Sequence, residues 1–141
     1  MDRRALVVGV IAPVILAAVA VATPAYAQDD CLVVKEKVFT ISVSDEAVAN
    51  PDCVKVKTGN TTLIWQAGPN VKTLKVAFKA PTLCKGADSS TKPPVDPTCS
   101  GNKCTLDKAK QSMTGTFCYS VVVIRQNGTV KTVDPRLIIN Q

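Results

Sequence analysis

The sequence contains no histidine. That removes the commonest general base, the usual activator of a nucleophilic serine or cysteine, and the commonest metal ligand. Carboxylates are sparse too: beyond residue 27 there are only Glu36, Glu46 and eight Asp. Most of those Asp sit in turn-like sequences, where the side chain serves backbone hydrogen bonding rather than acid–base chemistry. Asp134-Pro135 reads in the same way, as a break between strands. Ser112, Ser120 and Lys110 belong to no nucleophile motif. The chain is therefore read as non-enzymatic, with no catalytic residue, no metal site and no cofactor. Two further absences bear on architecture. No amphipathic stretch reaches helical length and no repeat recurs, which excludes helical bundles, α/β units and solenoids.

What remains is strand pattern. In residues 38–43 Val38, Thr40 and Ser42 face one way and Phe39, Ile41 and Val43 the other, the alternation of a half-buried strand. Similar runs cover residues 54–57, 61–66 and 74–78, separated by turn chemistry at Asn50-Pro51-Asp52, Thr58-Gly59-Asn60 and Ala67-Gly68-Pro69-Asn70. Residues 117–124 and 129–133 flank Asn127-Gly128, a strong hairpin signal, and residues 137–139 form a last short run. A short strand or turn beginning at residues 104–106 and one helical turn at residues 108–111 complete the reading. Asn60-Thr61-Thr62 and Asn127-Gly128-Thr129 match glycosylation sequons but are read as turns. Trp65, at the end of an apolar strand, is assigned to the core. Short strands at this spacing predict an all-β, two-sheet sandwich.

The N-terminus reads as a bacterial-type export signal. Met1-Asp2-Arg3-Arg4 is a basic leader, residues 5–22 are almost wholly apolar, and Ala25-Tyr26-Ala27 offers a signal-peptidase site. Cleavage would leave residues 28–141 as one domain, enough for a two-layer core. Its product is expected in the periplasm or outside the cell, with no stable membrane insertion. The net charge of +6 falls to +5 once the leader's two Arg and one Asp are gone. Lys and Arg are scattered singly rather than in runs, a solvated face and not a specific nucleic-acid site.

All six cysteines, Cys31, Cys53, Cys84, Cys99, Cys104 and Cys118, lie beyond the leader. An even number behind an export signal predicts three disulfides in an oxidising compartment. Zinc would call for closely spaced Cys/His pairs that this chain lacks. Proximity favours Cys31 with Cys53, Cys99 with Cys104 across Ser-Gly-Asn-Lys, and Cys84 with Cys118. The last two pairs would pin a long, proline-rich loop over residues 80–103, a length uncommon in compact domains unless it is functional or held.

Two fragments resemble the cupredoxin (plastocyanin-like) family: Val54-Lys-Val-Lys-Thr-Gly-Asn-Thr-Thr-Leu-Ile-Trp-Gln66, a strand, Gly-polar turn and strand ending at an aromatic, and Gly115-Thr-Phe-Cys-Tyr-Ser-Val121, similar to that family's strand leading to copper. The resemblance covers roughly residues 38–78 and 115–133, and it implies a Greek-key sandwich with the C-terminal hairpin at its centre. An immunoglobulin-like sandwich fits the same residues. The copper site does not carry over: the first histidine position falls near Thr73, the ligand cysteine position falls at Val121, and Cys118, three residues earlier, would face the other side. Cys118 is read as a staple.

Function is then expected from the loop. The first reading is a secreted binding or structural module that presents residues 80–103 to an unknown protein or envelope polymer, since loops on rigid scaffolds carry recognition. The second is a protease-inhibitor-like or toxin-like protein in which Lys85 or Lys92 on the disulfide-held loop enters a partner's cleft, preorganisation lowering the entropic cost.

Overall fold

The computed structural model describes residues 31–79, 93–111 and 113–141. The expected signal at residues 1–27 lies outside them. The described chain is all-β: two sheets face each other across one apolar core, with two disulfides holding their edges.

The strands are β1 (Leu32–Val33), β2 (Val38–Val43), β3 (Ala49–Asn50), β4 (Cys53–Lys57), β5 (Thr62–Ala67), β6 (Val71–Phe78), β7 (Thr98–Ser100), β8 (Lys103–Leu106), β9 (Gly115–Arg125), β10 (Val130–Val133) and β11 (Arg136–Asn140). One sheet runs β3-β2-β5-β8-β7 and the other β1-β4-β11-β9, with β10 and β6 also on β9. Each sheet contains parallel pairing: β2 with β5 in the first, and β4 with both β1 and β11 in the second. Period-2 alternation sends Ile41, Val43, Leu63 and Trp65 inward from the first sheet, and Val54, Val56, Leu74, Val76, Tyr119, Val121, Val123, Leu137 and Ile139 inward from the second.

The C-terminal hairpin forms the second sheet's spine. On one edge β9 pairs with β10 and then β11 in an unbroken antiparallel register, from Val130 opposite Ile124 to Ile139 opposite Gly115, with no slip across Asp134-Pro135. The Tyr119 N–H donating to Pro135 O at 3.1 Å carries the ladder through that break. On its other edge β9 pairs with β6. The tip differs in detail from a two-residue turn. Gly128 takes φ +85° while Asn127 does not enter the left-handed region, and the Gly128 N–H donates to Arg125 O at 2.9 Å. This is the three-residue loop in which glycine alone needs positive φ.

The two sheets meet through aromatic rings. Trp65 and Tyr119 pack edge to face with centroids 5.4 Å apart, and Phe78 lies edge-on to Tyr119 and Phe117 at 6.2 Å each. Such geometry sets the positive edge of one ring against the negative face of the next. Among the described residues, neither the buried Trp65 indole N–H nor the buried Tyr119 hydroxyl meets the geometry of a hydrogen bond. Burial pushes the Tyr119 hydroxyl up to about 12, against an opposing pull from the neighbouring Trp65 N–H.

Three short strands depart from the sequence reading: β1, β3 and, inside the expected loop, β7. Residues 98–100 carry no apolar alternation, yet they pair with β8 because Gly101 at φ +56° turns the chain and the Cys99–Cys104 disulfide closes the hairpin, with Cα atoms 4.0 Å apart. The helical turn is a 3-10 turn at Lys108–Lys110. It is docked by Gln111, whose buried Nε2 donates to Thr61 O at 2.6 Å.

Candidate functional site

The outer faces of the two sheets differ in chemistry. On the first sheet, register aligns Asn50, Ser42, Gln66, Lys103 and Ser100 in one row and Thr40, Ile64, Thr105 and Thr98 in the next. Lys103 is the sole charge in those rows. On the second sheet the rows are Val33, Lys55, Ile138 and Thr116, then Cys53, Arg136 and Cys118, then Lys75, Val122 and Thr132. With Lys57 beside Asn140, four cations from β4, β6 and β11 share this face. Asp134 is held by Lys79 at 2.7 Å.

Among the described residues, two of the concave sites carry apolar side chains in their lining. The first, about 370 Å³, is lined by Phe78, Pro93, Pro94, Val95 and Met113, with Asp96 and Lys110 at its rim. It forms because the chain entering β7 is tied to the end of β6: the Phe78 N–H donates to Asp96 Oδ1 at 2.7 Å. That bond satisfies an edge donor of β6, as the Leu74 N–H donating to Gly101 O at 2.8 Å does further along, and so protects an edge strand from pairing with another chain. Val95 stands 65% exposed at the cleft.

The second site, about 570 Å³, is lined by Val33, Val34, Lys35, Lys55, Val56, Lys57, Asn60 and Asn140. No Asp or Glu is among these residues. A further polar cluster caps the hairpin tip, where Arg125 and Lys131 both pair with Glu46. Arg125, foremost by its side-chain hydrogen bond, holds the exposed Glu46 carboxyl below its usual value.

Cys31 is bonded to Cys53 across 22 residues, and Cys99 to Cys104. Cys118 is also disulfide-bonded; its expected partner, Cys84, lies outside the described residues, as do Lys85 and Lys92, on which the inhibitor reading rests. Disulfides of this kind are compatible with an extracellular or periplasmic protein. Thr73 and Val121, the positions matched to copper ligands, lie on β6 and β9, with Val121 fully buried. Among the described residues no group of three or more Cys, Asp or Glu is placed to hold a metal, and no helix is long and apolar enough to cross a membrane. Sequence reading missed both concave sites. The cleft is built by prolines that carry no periodic signal. The groove joins residues 33–35, 55–60 and 140, which only the parallel pairings bring together.

No protein-family model, curated protein or solved structure matches this chain.

Proposed function

We propose that this is an exported, non-enzymatic binding module on a copper-free, cupredoxin-like sandwich, engaging a protein partner through the cleft beside the arm at residues 93–97. The cupredoxin-like reading is supported by parallel pairing within both sheets, which departs from the purely antiparallel sheets of an immunoglobulin sandwich. The binding reading rests chiefly on one observation: the arm is clamped to the β6 edge by Asp96 and to the β8 edge by Cys99–Cys104, yet leaves Val95 exposed over an apolar cleft. A surface held rigid before binding loses little conformational entropy on contact. An apolar anchor rimmed by Asp96 and Lys110 suits a protein surface with its own apolar residue.

Val95→Asp tests this. The exposed position should leave thermal stability within about 0.5 kcal/mol, while a partner captured from the producing cell's envelope fraction by the parent protein should be lost. Equal capture by both proteins would exclude the cleft, and no specific capture by the parent would overturn the module reading.

A further inference from the structure

The groove beside β1 has a construction of its own. β1 covers only Val54 and Lys55 of β4 and then departs, its last ladder bond running from the Val34 N–H to Lys55 O at 2.9 Å. β4 continues to Lys57. On its other edge the Thr58 N–H donates to Asn140 O at 2.8 Å, so by the alternation of a parallel ladder the Lys57 N–H points the opposite way, toward the groove. Among the described residues it meets no acceptor there.

The departing segment forms the opposite wall. Asn60 holds it in place, its Nδ2 donating to Lys35 O at 3.3 Å and its Oδ1 accepting from Lys37 Nζ at 3.2 Å. Lys35, Lys55 and Lys57 therefore surround a pit with a free backbone donor, and none of the three has an ion-pair partner among the described residues. The Glu36 carboxylate accepts from the Lys35 N–H at 3.0 Å but pairs with none of the three ammonium groups among the described residues; three cations with a directed N–H make a site for an anionic head. Val33, 60% exposed, supplies an apolar wall beside it, with the buried Val34 and Val56 behind.

We infer that this groove binds a small amphiphilic anion, a carboxylate or phosphate head carrying a short alkyl body. Its volume of about 570 Å³ falls in the range of roughly 300–1,000 Å³ usual for small-ligand sites. The head sits among the three lysines and the Lys57 N–H. The alkyl body lies against Val33. This site is separate from the cleft assigned to a protein partner and stands or falls independently of it.

The test is a titration of the purified, disulfide-intact protein, followed by amide NMR, with octanoate, octyl phosphate and inorganic phosphate. The expected result is saturable shifts at residues 33–35, 57 and 60 with at least one octyl compound, weakened by salt, and binding of inorganic phosphate at least about tenfold weaker. Whichever octyl compound binds more tightly names the head group. Lys55→Gln with Lys57→Gln should weaken the octyl ligand about tenfold or more while leaving the remaining amide spectrum in place. Shifts spread equally over Lys75 and Lys103, or no saturable shift with either octyl compound, would overturn the inference. So would inorganic phosphate binding as tightly as octyl phosphate, because Val33 would then contribute nothing.

Discussion

The two sheets share one core and obey the same inward alternation, yet their outer faces have diverged. The β3-β2-β5-β8-β7 face is a lawn of Thr, Ser, Asn and Gln with Lys103 as its single in-row charge. The β1-β4-β11-β9 face gathers Lys55, Lys57, Lys75 and Arg136. Core packing cannot account for the difference, since outward positions are free of it. The contrast teaches that, among the described residues, register gathers four cations on one sheet face against one on the other, and that the groove lies at the edge of the richer face.

The largest effect should separate the two edges through their disulfides. Cys31–Cys53 ties down β1, while Cys99–Cys104 closes the β7-β8 hairpin. In the chain-entropy picture, replacing both cysteines of the first pair by serine should cost about 3 kcal/mol, and the second pair about 2 kcal/mol, because the closed loops differ in length. Urea unfolding measures both. Loss of the first pair should also abolish binding in the groove, whose wall is β1; loss of the second should leave it. Equal effects on stability and binding would erase the distinction between the edges.

A somewhat smaller effect belongs to neither face but to the seam where Trp65 meets Tyr119. Below about pH 10 Tyr119 is protonated whether the chain is folded or not, so its contribution is constant. Between pH 10 and about 12 the unfolded chain releases that proton while the folded chain keeps it, and stability falls as pH rises. The loss by pH 12 should be on the order of 2 kcal/mol. Tyr119→Phe should remove that component of the alkaline decline and, by deleting a buried hydroxyl that meets no partner among the described residues, cost little at pH 7. An unchanged alkaline limb in the variant would show that the hydroxyl is reached by water.

The smallest effect on stability should come from the faces themselves. Exchanging Lys75 and Arg136 for Gln should shift stability by no more than about 0.5 kcal/mol but markedly lower the salt needed to elute the protein from a cation exchanger. Exchanging Thr40 and Thr105 for Ser should change neither. Identical retention of the two variants would dissolve the contrast between the faces.

The long strands were legible because their alternation is a local pattern: residues 38–43, 54–57 and 117–124 announce both strand and inward face. Trp65 was legible for the same reason, as a large ring at an inward-pointing position. The short strands β1, β3 and β7 were not, since two or three residues hold no period, and pairing partners far along the chain define them. The candidate sites were still less readable. Lys35, Lys55, Lys57 and Asn140 look like isolated surface residues until β4 is set between β1 and β11. Of the cations scattered along the sequence, register brings Lys55, Lys57, Lys75 and Arg136 to one face.

The parallel pairing of β4 with β11 carries a kinetic consequence. Residues 53–57 emerge early in synthesis, and their partners at 136–140 come some 80 residues later. Until they arrive, β4 has only the two residues of β1 beside it, and the second sheet cannot close. Long-range pairing of this kind is slow and defers the cooperative step to the last contacts made. A chain still short of residue 140 thus lacks the strand that joins β4 to β9, so the second sheet, and the core it shares with the first, is completed only by the last strand made.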